Sequence, residues 1–154
     1  PNPQWKTFAP DTDALMIFQG AEAYIRPGWY PSKAEHGKVV PTWNYAVVHA
    51  QGTVAWHEDA VWLRRFLETL TDRHEAHRVE PWQVTDAPPS YIERMLTSIV
   101  GFEIAVSSLT GKWKLGQNRA TEDRAGIAAG LAAEGTGDSQ RMIDLLDGPT
   151  GPVP

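Results

Sequence analysis

Two clusters of polar and aromatic residues carry most of the chemistry that the sequence offers. The first extends from Tyr24 to His49, and the second from Lys112 to Arg119. Lysine binds phosphate groups, amide groups hydrogen-bond to carbonyl oxygens, and aromatic rings pack against flat apolar rings. The residues of these clusters that could make such contacts are Trp29, Lys33, Trp43, Asn44, Lys112, Lys114, Gln117 and Asn118. These residue types favour a binding site for a flat ligand that carries a phosphate group.

The aromatic residues of these clusters also have a structural interpretation. Large rings are common in cores and in subunit interfaces, and the chain has seven tryptophans. In that interpretation Trp43, Tyr45 and Trp113 are packed, and the neighbouring lysines are solvated. The residues alone leave both interpretations open. They single out no catalytic acid or base, although His49 and Tyr45 are the polar groups favoured beside a substrate.

Other catalytic and metal-binding motifs are not found in the sequence. His74 and His77 are closer together than the two histidines of a zinc-binding helix motif. Residues 135–137 have no preceding strand and no third glycine, which a dinucleotide-binding loop requires. The chain has no cysteine and no Gly-x-Ser-x-Gly segment. We therefore predict no metal site.

Composition limits the partners of the protein. A formal charge of −5 and a pI near 5.5 argue against a broad basic surface that would bind DNA phosphates. The sequence has neither an apolar run long enough to span a membrane nor a basic-then-apolar leader. The absence of cysteine fits a reducing compartment. We predict a cytoplasmic protein without membrane contact, whose contact with DNA, if any, is local.

Strand patterns occur early in the chain and once more after its middle. Gln51 and Gly52 have the form of a hairpin turn between two such segments. The alternation of apolar and polar residues from Phe102 toward Trp113 is typical of a half-buried strand. The segments predicted as strands are residues 15–18, 23–25, 39–50, 53–56 and 102–113.

Helix signals separate and follow the strands. Asp59 is expected to cap a helix that ends near Arg73, and Asp86 a second helix with prolines in its first turn. Further helices are predicted around Ile127 and after Asp138. Strands followed by inserted helices indicate an α+β domain over residues 1–147, and the Pro/Gly-rich residues 148–154 are predicted to form a flexible tail.

At the two clusters the chain resembles the PaiB-type FMN-binding family. The most specific segments are Trp43-Asn44-Tyr45 and residues 112–115, Lys-Trp-Lys-Leu. The other matching segments are residues 2–5, 18–20, 23–25, 29–33, 40–42, 74–75, 81–82, 99–104 and 117–118. Arg26, Gly28 and Gly116 stand where serines are common in the family, which weakens a phosphate contact at those positions.

The resemblance implies a split β-barrel of the pyridoxamine-phosphate-oxidase class with peripheral helices. It also implies FMN as the cofactor, a bacterial source, and a homodimer with flavin sites at its interface. Family members carry further strands before the segment that begins here at Asn2. A chain that starts at Pro1 is therefore expected to lack early barrel strands and to bind FMN weakly or not at all.

Three functions are compatible with this resemblance, because a fold alone does not determine an activity. The first is an FMN-binding transcriptional regulator of the repressor type. The second is a flavin-dependent oxidoreductase that acts on a small molecule. The third is a dimeric binding module without a cofactor. An acidic chain makes direct DNA binding the least supported part of the first hypothesis.

Overall fold

The computed structural model describes residues 3–9, 12–146 and 148, with Gln4 described by its backbone alone. Strands β1 (Asp13–Ile25), β2 (Thr42–His57) and β3 (Gly101–Lys114) form one sheet in the order β1-β2-β3. The helices are α1 (Ser32–His36), α2 (Ala60–Glu75), α3 (Pro89–Leu96), α4 (Thr121–Glu134) and α5 (Gly137–Leu146). Short 3₁₀ turns span Pro3–Thr7, Pro27–Trp29 and Val84–Asp86. The α+β class is confirmed, whereas closure into a split barrel stays a prediction because the described residues form three strands.

The chain divides into two compact units. Unit 1 contains the described residues of 1–14 and 51–107, and unit 2 those of 15–50 and 108–154. The predicted single domain over residues 1–147 stays a prediction. The predicted tail, residues 148–154, lies outside the described residues except for Gly148.

Neighbouring strands run in opposite directions. At the end of β1, the ring of Tyr24 packs against Trp43 near the start of β2. Just before β1, the carbonyl oxygen of Thr12 accepts a hydrogen bond from the amide of Val54, near the end of β2. The first residue of β2, Thr42, likewise contacts the last residue of β3. The sheet is therefore antiparallel, which explains how segments distant in sequence meet at one end of it.

The predicted hairpin at Gln51 and Gly52 is wrong, because β2 continues through both residues. Gly52 is required there for a different reason. A Cβ atom at Gly52 would lie 2.1 Å from the carbonyl oxygen of Ala105 on β3. Glycine within a strand often marks such a close approach of two backbones rather than a turn. Strand β1 is likewise continuous over 13 residues, where two short strands were predicted.

The helix signals near Asp59 and Asp86 had different outcomes. The Asp59 carboxylate accepts a hydrogen bond from the amide of Trp62 at 2.8 Å and caps α2, as predicted. Asp86 does not cap α3, since its carboxylate accepts from the amide of Gln83 at 3.0 Å. A cap at Asp86 would need amide donors from the two following prolines, and proline has none. Helix α3 therefore begins at Pro89, and its N-cap residue, Pro88, makes no side-chain capping hydrogen bond.

The core of unit 2 lies where α4 and α5 pack together. Ile25, Ile127, Leu131 and Met142 are at most 1% exposed, and they belong to one apolar cluster. The ring of Trp29 packs on α4 so closely that a Cβ atom at Gly130 would lie 2.2 Å from it. Burial of these side chains is the main source of stability in unit 2.

Strand β3 is a strand as predicted, but its burial is not the predicted alternation. Val106 is 55% exposed and Leu109 is 68% exposed, and most of the strand is equally open. The exposed side chains include apolar residues that would be buried in a sheet covered on one face. Within the described residues, β3 therefore carries an apolar surface that is open to solvent.

Candidate cofactor site

The two predicted clusters meet on neighbouring strands of unit 2. The Nζ atom of Lys114 donates a hydrogen bond to Thr42 Oγ1 at 2.6 Å, which joins the end of β3 to the start of β2. The Nζ atoms of Lys112 and Lys114 each lie 6.0 Å from the centre of the Tyr45 ring. Distances of this size permit a cation–π interaction. Two cationic groups therefore converge beside one phenol ring.

An aromatic pair extends this patch toward β1. The rings of Tyr24 and Trp43 meet edge to face, with centres 5.8 Å apart and planes at 66°. Trp43 is 52% exposed, so its ring is available to a ligand. The cationic–aromatic patch consists of Tyr24, Trp43, Tyr45, Lys112 and Lys114.

Within the part of the chain that the structure describes, no carboxylate neutralises the charge of the patch. Neither Lys112 nor Lys114 has a carboxylate partner among the described residues. Paired ammonium groups without carboxylates attract an anion, and a phosphate group offers several oxygen acceptors. The donor set therefore fits the phosphate of FMN, and the exposed rings fit a flat apolar ring system.

Asn44 lies close in sequence to the patch but on the other face of β2. Asn44 and Ala46 are buried, whereas Trp43, which precedes Asn44, is exposed. Side chains that alternate between the two faces of a strand give this pattern. Asn44 is 1% exposed, and its Nδ2 atom has no hydrogen-bond partner among the described residues. A buried donor without an acceptor destabilises the fold by about 1–3 kcal/mol.

Gln117 and Asn118 follow β3 in a turn, and Gln117 is already engaged. Its amide donates to the carbonyl oxygen of Trp113 at 2.8 Å and accepts from the amide of Leu115 at 3.0 Å. Gly116 has a positive φ of 72°, which explains a glycine at this position. Gln117 therefore holds the end of β3 near Lys114, while Asn118 is exposed at the same turn.

Trp29 and Lys33 are not brought into the patch. The Trp29 ring packs against Gly130 of α4 and is a core contact. Lys33 is exposed on the short helix α1, where its carbonyl oxygen accepts from the amide of Gly37. Their predicted cofactor contacts stay predictions, and for Trp29 the structural interpretation has a specific contact.

The sequence analysis missed a polar anchor in unit 2. Asp123 is 4% exposed, and its two carboxylate oxygens accept from the amide of Ser32 at 3.1 Å and from the Ser32 hydroxyl at 2.8 Å. Burial alone would raise the pKa of Asp123. The hydrogen bonds from Ser32, with the charges of Arg119 and His36, hold this pKa below its usual value. No local pattern indicated a contact between residues so far apart.

The described residues contain no group of three or more His, Asp or Glu side chains arranged to hold a metal ion. Among the same residues, no helix combines the length and the apolar character needed to cross a bilayer.

The antiparallel sheet, its helices and the cationic–aromatic patch define an α+β domain with a candidate site for a flat, anionic ligand. The model of the family described as "Putative FMN-binding domain" matches residues 1–108. The chain belongs to this family. Lys112 and Lys114 lie just after the matched residues.

Curated relatives extend the similarity to nearly the whole chain. "Protease synthase and sporulation protein PAI 2" of Bacillus subtilis is 35% identical over 146 residues, which are 95% of this chain and 68% of that protein. An uncharacterized protein of Emericella nidulans is 36% identical over 145 residues, 87% of this chain and 58% of its own length. An uncharacterized protein of Saccharomyces cerevisiae is 45% identical over 67 residues, 43% of this chain and 40% of its own length. The chain thus spans about two thirds of the Bacillus relative and a smaller part of the fungal ones. Relatives occur in both bacteria and fungi.

Proposed function

We propose that this chain is the FMN-binding domain of a PaiB-like regulatory protein. The observation that carries the proposal is the convergence of Lys112 and Lys114 beside Tyr45, without carboxylate partners among the described residues. Family membership supports the choice of FMN among flat anionic ligands.

In this proposal the two lysines bind the phosphate of FMN. Thr42 holds the Lys114 ammonium in place through the 2.6 Å hydrogen bond, which limits the side-chain entropy lost on binding. Lys112 adds a second cation from the same strand. Charge-assisted hydrogen bonds to phosphate are stronger than neutral ones, so these contacts should dominate the affinity.

The aromatic residues and amides bind the ring in this proposal. Trp43 and Tyr24 offer ring surface for the apolar part of the isoalloxazine. Asn44 is buried on the other face of β2, so its contact with the cofactor stays a prediction, whereas Gln117 and Asn118 lie beside the lysines in sequence. Trp29 and Lys33 lie outside the patch, and their contacts with the cofactor stay predictions. Bound FMN would supply redox chemistry or a redox-dependent signal.

Isothermal titration with FMN and with riboflavin tests the proposal, because riboflavin lacks the phosphate. We expect saturable FMN binding and riboflavin binding that is about tenfold weaker or more. Replacing both lysines, Lys112→Ala with Lys114→Ala, should lower the FMN affinity to that of riboflavin and leave riboflavin unchanged. Lys38→Ala is the matched control, since Lys38 is an exposed lysine of unit 2 outside the patch. Absence of FMN binding, or an unchanged affinity in the double variant, would contradict the proposal.

The regulatory part of the proposal is supported by the name of the Bacillus relative, "Protease synthase and sporulation protein PAI 2". With a formal charge of −5, any DNA contact must be confined to a small area. Gel-shift assays at low salt with protease and sporulation promoters, with and without FMN, test direct binding. We expect retardation that depends on FMN, and no retardation under either condition would remove the DNA-binding version.

A further inference from the structure

Three aromatic rings in unit 1 form a ladder that the proposed flavin site does not use. The rings of His57 and Trp62 are 4.0 Å apart with planes at 7°, and those of Trp62 and Phe66 are 5.4 Å apart with planes at 7°. The His57 side chain is 23% exposed, whereas Phe66 is 48% exposed. The ladder therefore begins under the surface and ends in solvent.

A cleft of about 280 Å³ lies at the exposed end of this ladder. It is lined by Trp62, Arg65, Phe66 and Thr69, all of them on α2. The Thr69 hydroxyl donates to the backbone carbonyl oxygen of Arg65 at 2.9 Å, as helical threonines often do. Arg65 is the single charged residue of this lining.

The guanidinium of Arg65 has no ion-pair partner within the described residues. Arginine presents a planar fork of donors that matches carboxylate and phosphate groups. Aromatic rings prefer parallel, offset neighbours, and the parallel ladder presents its last ring to solvent. The cleft thus combines a stacking surface with one uncompensated positive charge.

We propose that this cleft binds a small planar aromatic ring that carries an anionic group. The ring of the ligand stacks on the outer face of Phe66, the last ring of the ladder, and its carboxylate or phosphate pairs with Arg65. Because Arg65 carries a positive charge, the cleft should bind an aromatic ligand with an anionic group more tightly than a neutral one. The residues of this site belong to unit 1, and they are distinct from Lys112 and Lys114 of the proposed FMN site.

Binding of adenosine 5′-monophosphate, followed by two-dimensional NMR, tests this inference. Adenosine supplies the same ring without the charge, and ribose 5-phosphate supplies the charge without the ring. We expect saturable shifts of the Trp62 indole and Arg65 signals with the nucleotide, and binding about fivefold weaker or more with either part alone. NMR is preferred to fluorescence because the chain has seven tryptophans.

Substitutions on α2 separate the ring contact from the charge contact. Arg65→Gln should reduce the affinity for the nucleotide to that of adenosine, and Phe66→Leu should weaken both ligands. Arg73→Gln, an exposed arginine on the same helix outside the cleft, should change neither. Circular dichroism melts of each variant verify that the fold is kept.

Several results would overturn the inference. These are absence of saturable nucleotide binding, an unchanged affinity in Arg65→Gln, or loss of binding in the Lys112→Ala and Lys114→Ala double variant. If Phe66→Leu changes the molecular mass in solution and not the affinity, the surface is a contact between copies of the chain and the inference fails. None of these results depends on whether FMN binds to the patch in unit 2.

Discussion

At the scale of single residues, unit 2 has two lysines without carboxylate partners among the described residues and, on the other face of β2, a buried amide donor without an acceptor. The lysines attract a ligand from solvent, whereas Asn44 is buried with its Nδ2 atom unpaired. Binding sites often keep groups that reduce the stability of the free protein. Asn44 is the clearest such group in unit 2, and its stability effect is measurable without any ligand.

We predict that Asn44→Leu stabilises the protein in the absence of ligand by about 1–3 kcal/mol, because the substitution removes an unsatisfied buried donor and keeps the volume of the side chain. Thermal unfolding followed by circular dichroism measures the change. Asn118→Leu, at an exposed turn residue, is the control and should shift stability by less than about 0.5 kcal/mol. A lower unfolding temperature for Asn44→Leu would mean that the amide has an acceptor in the folded protein.

The Asp123 anchor predicts a loss of stability in acid. Its pKa is lower in the folded protein than in the unfolded chain, so its contribution is complete above the unfolded value of about 3.9 and is lost as pH falls through the folded pKa. Asp123→Asn should therefore lower the unfolding temperature at neutral pH, and the difference from the natural sequence should shrink below about pH 4. Asp138→Asn, at an exposed ion pair with Arg141, should show a small effect at every pH. A difference that stays constant with pH would contradict the role of the carboxylate.

At the scale of secondary-structure elements, the closest fit in unit 1 is between β2 and β3 at Gly52. An added methyl group there would lie 2.1 Å from a carbonyl oxygen, so the strands must separate to admit it. We predict that Gly52→Ala destabilises the protein by about 1–3 kcal/mol, as overpacking does. Gly28→Ala is the matched control, because an added Cβ at Gly28 has no atom within 4 Å. Equal unfolding midpoints in denaturant for the two variants would contradict this account of β2.

The elements show what sequence patterns can and cannot predict. Asp59 and α2 were predicted because a helix cap depends on residues a few positions away. The strands that contain Trp43 and Lys112 were predicted from their residue patterns, and they are neighbours in the sheet. Gly52 was misread because a turn and a close strand crossing both favour glycine. The contact of Ser32 with Asp123 joins positions 91 apart, and no local pattern contains it.

At the scale of the whole molecule, we predict self-association from exposed apolar residues of the strands. Leu15 and Ile17, on one face of β1, and Leu109 on β3 are 55–68% exposed. Exposed apolar patches on a sheet are typical of protein interfaces. We therefore expect a homodimer in solution.

Light scattering coupled to size-exclusion chromatography tests this expectation over a range of protein concentrations. Leu109→Lys should shift the mass from dimer toward monomer, because it places a charge in the apolar surface. Val79→Lys, at a fully exposed position (100%) outside the strands, should leave the mass unchanged. A monomeric mass for the natural sequence at every concentration would contradict the prediction.

The two glycines of α4 have a consequence for the order in which unit 2 becomes structured. Gly126 and Gly130 admit the backbone and ring of Trp29, but each lowers the intrinsic helical tendency by about 1 kcal/mol relative to alanine. Helix α4 is therefore weak until the tryptophan docks, and the two should gain protection from hydrogen exchange together. Slow hydrogen exchange of amides in the middle of α4 would then report that Trp29, nearly a hundred positions earlier in the chain, has docked on the helix.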